Sequence, residues 1–533
     1  MGPSAFIENK LVATSARNRN IFSTVGQHFA SVFFGALLGL SAPGIGLWFY
    51  AWVGLIPLLI LVASAKRKRE AALKALLFGL AYNCVYLNWY LYLAPLDWLG
   101  FSDLESNLLA GAALFIVSFH QGLIFALFAL IFRLLPLKST MIGHWRSGQL
   151  SLPALWTIPL IWVVLVNKLG NAHCLTGVPW SMLEYSQYKQ LPLIQVASII
   201  GGIGIEYLIV LVNVILSIGF VTLSKTVKAK TFSVTGKGAL ALQGLTTLVV
   251  LLAVLTYGFW RLNEKQVVAT ITLSVVQPNV NIEMQKSEHR YTVLDLVNQQ
   301  VALTKECPQG ICIWPESAVP TRLSKNPSMQ DRLGKLAKTR NLDLVVGSID
   351  EDSNGQVYNA VFAIRSDGTF LPQAYRKQYL VPFGEYTPVL VNYMPAWIKR
   401  LTNTPAGAGY ASGLRASVLE LCRARVSPLI CFETISPELA SAGARAGGEL
   451  LVNVSDLAWF HKSIIGEQML ACAVFRAVEN HRFFVFAANT GPSAIISPSG
   501  TIRSELSQGL KMALSGKVAL FSKLTPFTRW FIF

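Results

Sequence analysis

Hydrophobic residues fall in two different patterns along the chain. Up to about residue 260 they run in long, nearly charge-free blocks, of the length, about 20 residues, that carries a helix across a bilayer. Seven blocks are legible, at about 24–43, 45–64, 71–93, 107–132, 152–168, 196–224 and 239–260. The fifth is the weakest because Pro153 and Pro159 interrupt it. The first lies too far in, and is followed by too many others, to be a cleaved signal peptide. Within the sixth, Gly201, Gly202 and Gly204 suggest close helix packing, and Glu206 is an ionisable residue inside a span, without an assigned role. Beyond residue 260 short β-branched runs take over, at 267–276, 310–314, 342–347, 357–364, 427–432, 449–454, 483–488 and 493–496. Helical stretches at 291–305, 328–340, 436–446 and 465–480 lie between several of them. Strands alternating with helices predict an α/β domain built on a sheet.

Composition supports the division. Of 533 residues, 53% are hydrophobic and only 14% charged, against about 25% charged in an ordinary soluble domain. A soluble or disordered chain is excluded. The net charge of +17 is compatible with nucleic acid or with a membrane, and its distribution decides between them. Lys10, Arg17 and Arg19 precede the first block, Lys66, Arg67, Lys68, Arg69 and Lys74 lie between the second and third, Arg133, Lys138 and Arg146 between the fourth and fifth, and Lys225, Lys228, Lys230 and Lys237 between the sixth and seventh. The alternate loops hold only Lys168 and Lys189, so fifteen basic residues face two. By the positive-inside rule the N-terminus is cytoplasmic, and seven crossings place everything after Trp260 outside. Juxtamembrane clusters, rather than one continuous basic face, argue against a nucleic-acid partner. The expected organisation is a membrane domain over 1–260, an α/β domain over 261–515 and a short tail over 516–533. The tail's Trp530 and Phe531 beside Arg529 suit a membrane interface. The seven cysteines include no CxxC pair, which disfavours a zinc ribbon or a disulfide-rich scaffold. Cys307 and Cys312 are a candidate disulfide in an oxidising compartment, with two free thiols as the other reading.

Three segments of the second half look chemical. Glu316 follows an apolar strand that ends at Pro315. Lys377 precedes the turn Val381-Pro382-Phe383-Gly384, which is followed by Glu385. Cys431 ends the strand Pro428-Leu429-Ile430, with Glu433 two positions later. Strand ends are where α/β folds bind ligands. A thiol needs a base or a cation to react near neutral pH, a buried carboxylate can be that base, and an ammonium can steady an oxyanion. Each residue also has an ordinary reading: Cys431 as a small buried hydrophobe, Glu316 as a loop carboxylate or helix cap, Lys377 as a surface charge. Spacing alone does not establish that they meet.

These segments resemble the Glu-Lys-Cys triad of the nitrilase superfamily. The stretch from Lys377 to Tyr386 and the order of a multi-span half before the triad resemble the apolipoprotein N-acyltransferase family in particular. So do Gly177-Val178-Pro179-Trp180, Ser455-Asp456-Leu457-Ala458-Trp459-Phe460, Arg476-Ala477-Val478-Glu479 and Asn489-Thr490-Gly491. The resemblance implies an αββα sandwich carried on a helical membrane bundle. It implies Glu316 as general base, Lys377 as oxyanion stabiliser, Cys431 as nucleophile, Glu385 as a supporting carboxylate and Glu433 as the acidic residue after the nucleophile. The implied reaction moves an acyl chain from a phospholipid, by resemblance phosphatidylethanolamine, through a Cys431 thioester to the amino group of a diacylglyceryl-cysteine apolipoprotein. It requires no metal or nucleotide and places the protein in the bacterial inner membrane with its catalytic domain in the periplasm. Phe432 stands where the family commonly has Tyr, and Met284, Gln285 and Lys286 stand where it often has a Trp.

The apolar connection after Tyr386, with Met394 and Trp397, is a candidate lid that gates acyl chains, the alternative being an ordinary packed loop. Trp459 offers a second apolar edge. Two other functions remain compatible with the residues: a membrane-tethered amidase acting on small amides through the same triad, and a transporter or scaffold in which the triad is inert.

Overall fold

Inside long apolar runs the backbone has only itself to bond with, and helix is the result. The computed structural model describes residues 25–97, 100–141, 144–146, 149–170, 180–224, 237–264, 270–281, 292–382, 384–387, 409–415 and 417–530. Each apolar block holds helix: α1 (Val25–Gly39), α2 (Ile56–Ser64), α3 (Lys68–Tyr86), α4 (Asp103–Leu134), α5 (Ala154–Gly170), α6 (Ala197–Leu223) and α7 (Lys237–Leu262). Of these α4, α6 and α7, at 32, 27 and 26 residues, are long and apolar enough to cross a bilayer. The second and third blocks are broken, with separate 3-10 turns at Trp48–Trp52 and Asn88–Leu93.

At the first of these breaks a side chain satisfies the exposed polar groups. Between the Trp48–Trp52 turn and α2, Asn213 accepts from the Leu55 amide at 3.0 Å and donates to the Ala51 carbonyl at 2.9 Å. Glu206 accepts from the Trp162 indole N–H at 2.8 Å, so this intramembrane carboxylate has a partner. Gly201 sits at φ 71°, a kink in α6 that glycine adopts without Cβ strain, and the Phe527 ring occupies the place of its missing Cβ. The three glycines therefore mark a kink as well as close packing.

By packing, the chain forms two compact units. One comprises Met1–Asn88, Gly111–Leu183 and Glu206–Leu251; the other comprises Trp89–Ala110, Glu184–Ile205 and Leu252–Phe533. The second holds two six-stranded sheets. The first sheet contains β1 (Thr270–Gln277), β2 (Gly310–Arg322), β3 (Leu342–Glu351), β4 (Val357–Ile364) and β5 (Tyr375–Arg376). The second contains β6 (Leu419–Glu420), β7 (Arg425–Ile430), β8 (Leu450–Ser455), β9 (Phe483–Ala488), β10 (Ser493–Ile496) and β11 (Ile502–Leu506), and β12 (Met512–Ala519) returns to the first. The spatial orders are β12-β1-β2-β3-β4-β5 and β11-β10-β9-β8-β7-β6. β1, β2 and β3 run parallel, as do β7, β8 and β9, and the remaining pairs are antiparallel. The central strands are apolar on both faces because both are covered. The sheets pack against each other, β8 and β9 on β1 and β2. Helices α8 (Val293–Thr304) and α9 (Pro327–Arg340) seal the outside of the first sheet through Val297, Leu303, Leu333 and Ala337. Helices α10 (Pro437–Arg445) and α11 (Ile465–Asn480) cover the second. This is the αββα sandwich that the resemblance implied.

The eight runs expected as strands all carry strand; four strands of the two six-stranded sheets were not foreseen, among them β12, nor was a small three-stranded sheet of Leu137–Lys138, His144–Arg146 and Gln149–Pro153. Residues 516–519, expected in the tail, complete β12 against β1. The short helix α12 (Pro526–Trp530) is anchored rather than loose: Thr525 Oγ1 donates to the Glu479 carbonyl at 2.6 Å, and Arg445 donates to the Thr528 carbonyl at 3.0 Å.

Asn213→Ala leaves a buried amide and a buried carbonyl unpaired, at a cost of about 1–3 kcal/mol for each such group. The expected result in detergent is a melting temperature lowered by several degrees. An unchanged melting curve would contradict this account of the helix break.

Candidate active site

Three chain segments deliver the site, two of them leaving their sheets at points of backbone irregularity. On β2, Trp314 pairs with Val346 and the next pairing is Val319 with Ser348, so the residues between bulge out of the ladder, and Glu316 is among them. Gly347 on β3 permits the bulge, since a Cβ there would lie 2.3 Å from the Pro315 carbonyl oxygen. Lys377 directly follows the short edge strand β5, its amide donating to the Asn359 carbonyl at 2.9 Å. Cys431 follows β7 with φ 51° and opens the 3-10 turn Cys431–Ile435. That left-handed conformation is costly for a side-chain-bearing residue and is kept where surrounding structure enforces it.

The three side chains converge. Lys377 Nζ lies 2.8 Å from Glu385 Oε1 and 3.5 Å from Glu316 Oε1, with only 1% of its side chain exposed. Asn359 Nδ2 donates to both carboxylates, at 2.7 Å to Glu316 Oε1 and 2.8 Å to Glu385 Oε1. The other oxygens receive backbone amides: Asp456 N to Glu316 Oε2 and Val381 N to Glu385 Oε2, each at 2.8 Å. Glu316 is also within interaction range of the Cys431 thiol. Burial, followed by the negative charge of Glu316, pushes that thiol well above the usual cysteine range, with Lys377 pulling the other way. Burial opposes the Lys377 ammonium, but Glu385, Glu316 and Cys431 more than offset it and hold the lysine charged. The resting site therefore contains a protonated thiol beside a carboxylate that can take its proton, and a cation that stays charged.

Glu433 braces the nucleophile against the lysine segment. Its fully buried carboxylate accepts from the Ile430 amide at 2.7 Å, the Tyr375 hydroxyl at 2.8 Å, the Gln378 amide at 2.6 Å and the Tyr379 amide at 3.1 Å. One side chain thus ties the residue before Cys431 to residues on both sides of Lys377. Burial raises the pKa of Glu433, against the pull of these donors. The Cys431 carbonyl is held by Asn453 Nδ2 at 3.0 Å, and the Ile435 carbonyl at the end of the same turn by Arg476 Nη1 at 2.9 Å. Arg476 pairs in turn with Glu479 at 2.8 Å, and Glu479 accepts from the Gly202 amide at 3.1 Å.

All five expected polar residues meet here. Trp459 is half-buried on the short turn Ala458–Phe460. Its neighbour Phe460 stands 6.3 Å, ring to ring, from Phe432 and 5.3 Å from Trp89, an aromatic series that begins beside the nucleophile. Met394, Trp397 and 284–286 lie outside the described residues. Sequence reasoning did not find Asn359, the one amide shared by both carboxylates; its signal is a lone polar residue within the apolar run of β4. It also missed Tyr410, whose amide donates to the Glu385 carbonyl at 2.8 Å and whose phenol is raised by burial and by Glu385 and Glu316. Among the described residues, no group of three His, Cys, Asp or Glu side chains is arranged to hold a metal ion.

Known proteins match both halves. A family model described as carbon-nitrogen hydrolase covers residues 272–519, and one described as apolipoprotein N-acyltransferase N-terminal domain covers residues 34–215. An apolipoprotein N-acyltransferase from Geobacter metallireducens is 32% identical over 505 residues, spanning 93% of this chain and 89% of that protein. One from Azotobacter vinelandii is 28% identical over 511 residues, spanning 93% and 90%. Among solved structures, a Saccharomyces cerevisiae member of branch 10 of the nitrilase superfamily aligns over 48% of this chain and 93% of its own, with 16% identity and a TM-score of 0.37. Matched along nearly its whole length by relatives of one kind, the chain belongs to the apolipoprotein N-acyltransferase family and is an acyltransferase.

Proposed function

We propose that this enzyme takes an acyl chain from a membrane phospholipid, with phosphatidylethanolamine as the expected donor, and places it on the N-terminal amine of a diacylglyceryl-cysteine apolipoprotein. The observation that carries the reading is the buried meeting of Glu316, Lys377 and Cys431, with a proton acceptor beside the thiol and a fixed cation beside both. Glu316 takes the thiol proton as Cys431 sulfur attacks the ester carbonyl. The C–S bond forms, and the oxyanion is steadied by the Lys377 ammonium. Collapse breaks the ester C–O bond, Glu316 returns its proton to the departing lysophospholipid, and a thioester remains on Cys431. In the second half, the acceptor amine attacks the thioester. Glu316 takes the amine proton, the C–N bond forms, the C–S bond breaks, and the proton ends on the Cys431 thiol. Glu385 and Glu433 are positioning residues in this scheme, one balancing Lys377 and the other fixing the nucleophile turn. No metal or nucleotide enters it.

The same reading assigns residues 1–260 to a seven-span membrane domain with a cytoplasmic N-terminus, 261–515 to a periplasmic catalytic domain, and the protein to the bacterial inner membrane. The fifteen-to-two loop asymmetry supports that orientation. Met394, Trp397 and Trp459 are the proposed acyl-chain contacts. Their apolar character suits a lipid donor better than a small amide.

Incubation of the purified enzyme with phospholipid and a diacylated lipopeptide tests the reading. The expected outcome is a mass gain of one acyl chain on the peptide. Its loss by at least about 10²-fold is expected in Glu316→Gln and Lys377→Ala, with slower transfer in a Trp397→Ser, Met394→Ser double variant that keeps the wild-type melting temperature. Ammonia released from simple amides, with no peptide mass gain, would favour hydrolysis instead.

The pH dependence of Cys431 alkylation by iodoacetamide separates base from bystander. In the wild type the reaction should rise with pH only above the usual cysteine range, because burial and Glu316 disfavour the thiolate. Glu316→Gln removes the nearby negative charge, so the alkylation profile should move to lower pH while acyl transfer is lost. Lys377→Met should move it to higher pH. A profile indifferent to both substitutions would show that the three side chains are not electrostatically coupled.

A further inference from the structure

Among the described residues, one pair of thiols lies within reach of each other. Cys307 follows the last turn of α8, its amide donating to the Thr304 carbonyl at 3.1 Å. Cys312 lies in β2, paired with Ser274 of β1 and Leu344 of β3. Their sulfurs are 4.0 Å apart, with the Cys312 thiol donating to Cys307 Sγ. Both side chains are buried and unbridged. Thr304 Oγ1, which accepts from the Trp314 indole N–H at 2.9 Å, lies 3.8 Å from Cys312 Sγ, and the Cys307 thiol donates to the Leu303 carbonyl at 3.6 Å.

We propose that Cys307 and Cys312 form a disulfide modification site, closed by a disulfide donor of the glutathione or thiol-oxidoreductase class, that fastens the end of α8 to β2. A disulfide requires a sulfur separation of about 2.05 Å, so closure brings the two sulfurs about 2 Å closer than their 4.0 Å separation here. Cys307 is the attacking sulfur, reached when the end of α8 opens locally, since both side chains are buried in the closed fold. The hydrogen bond from Cys312 lowers its pKa, with burial opposing, whereas the same hydrogen bond and burial raise that of Cys312. The Cys307 thiolate displaces one half of the donor as a thiol and leaves a mixed disulfide. Cys312 then gives up its proton, attacks that bond and releases the second half. Two protons and two electrons pass from the pair to the donor, which ends as two thiols.

The consequence is mechanical. β2 carries Glu316 four residues beyond Cys312, and its partner across the bridge is the exposed helix that covers the outer face of the first sheet. The bridge pins a covering helix to the strand that presents the proposed base, and needs no change in the site itself. The bridge does not depend on the acyl-transfer reading.

The test uses the full-length protein in detergent. It is incubated with oxidised glutathione, quenched in acid, unfolded with N-ethylmaleimide and mapped by peptide mass. Exposed Cys422 reports delivery of the oxidant. The expected result is a peptide holding Cys307 and Cys312 that is lighter by about 2 Da and carries no maleimide. The oxidised protein should melt at least about 2 °C higher, a gain reversed by dithiothreitol and absent from Cys312→Ser. Maleimide on both cysteines while Cys422 carries glutathione would overturn the proposal, as would a glutathione adduct that persists on Cys307 in the wild type.

Discussion

A buried ammonium between two carboxylates governs what the thiol beside them can do. Lys377 lies 2.8 Å from Glu385 and 3.5 Å from Glu316, so one cation serves two carboxylates. Simple loss of the thiol proton to solvent would add a further negative charge to the same low-dielectric space, which is expensive. Moving the proton from Cys431 to Glu316 changes nothing in the total: one cation and two anions are present before and after. Base and nucleophile must therefore sit together, the lysine must stay charged, and Asn359 must hold both carboxylates in place by donating to each.

That arrangement needs three distant segments held to within about 0.5 Å. The fold supplies this through buried polar braces more than through packing alone. Glu433 gathers four donors from the nucleophile turn and the lysine segment, and each would be unsatisfied without it. Asn453 and Arg476 hold two carbonyls of the same turn, and Arg476 passes through Glu479 to the kink of α6 at Gly202. The left-handed backbone at Cys431 is stable because its carbonyl and both flanks are tied down.

Much of this was legible in the sequence because it is local. Both-face apolar strands, helices between them and strand ends carrying Glu316, Lys377 and Cys431 all lie within short windows. Features that depend on pairing across the chain were not. β12 is exposed or half-buried along its length except at Val518, and contains Gly516 and Lys517, so only its long-range pairing with β1 makes it a strand. Asn359 reads as an interruption in an apolar run until the fold sets it between two carboxylates. In the helical half, seven apolar blocks were legible, whereas the break inside the second depends on a partner, Asn213, well over a hundred residues away.

Intact-mass analysis of the purified enzyme after exposure to phospholipid alone is the most direct measurement of the central claim. If charge-neutral proton transfer to Glu316 arms the sulfur, the wild type gains one acyl chain mapped to Cys431, and Glu316→Gln and Lys377→Ala gain none. An adduct formed equally well without Glu316, or carried by another residue, would contradict it.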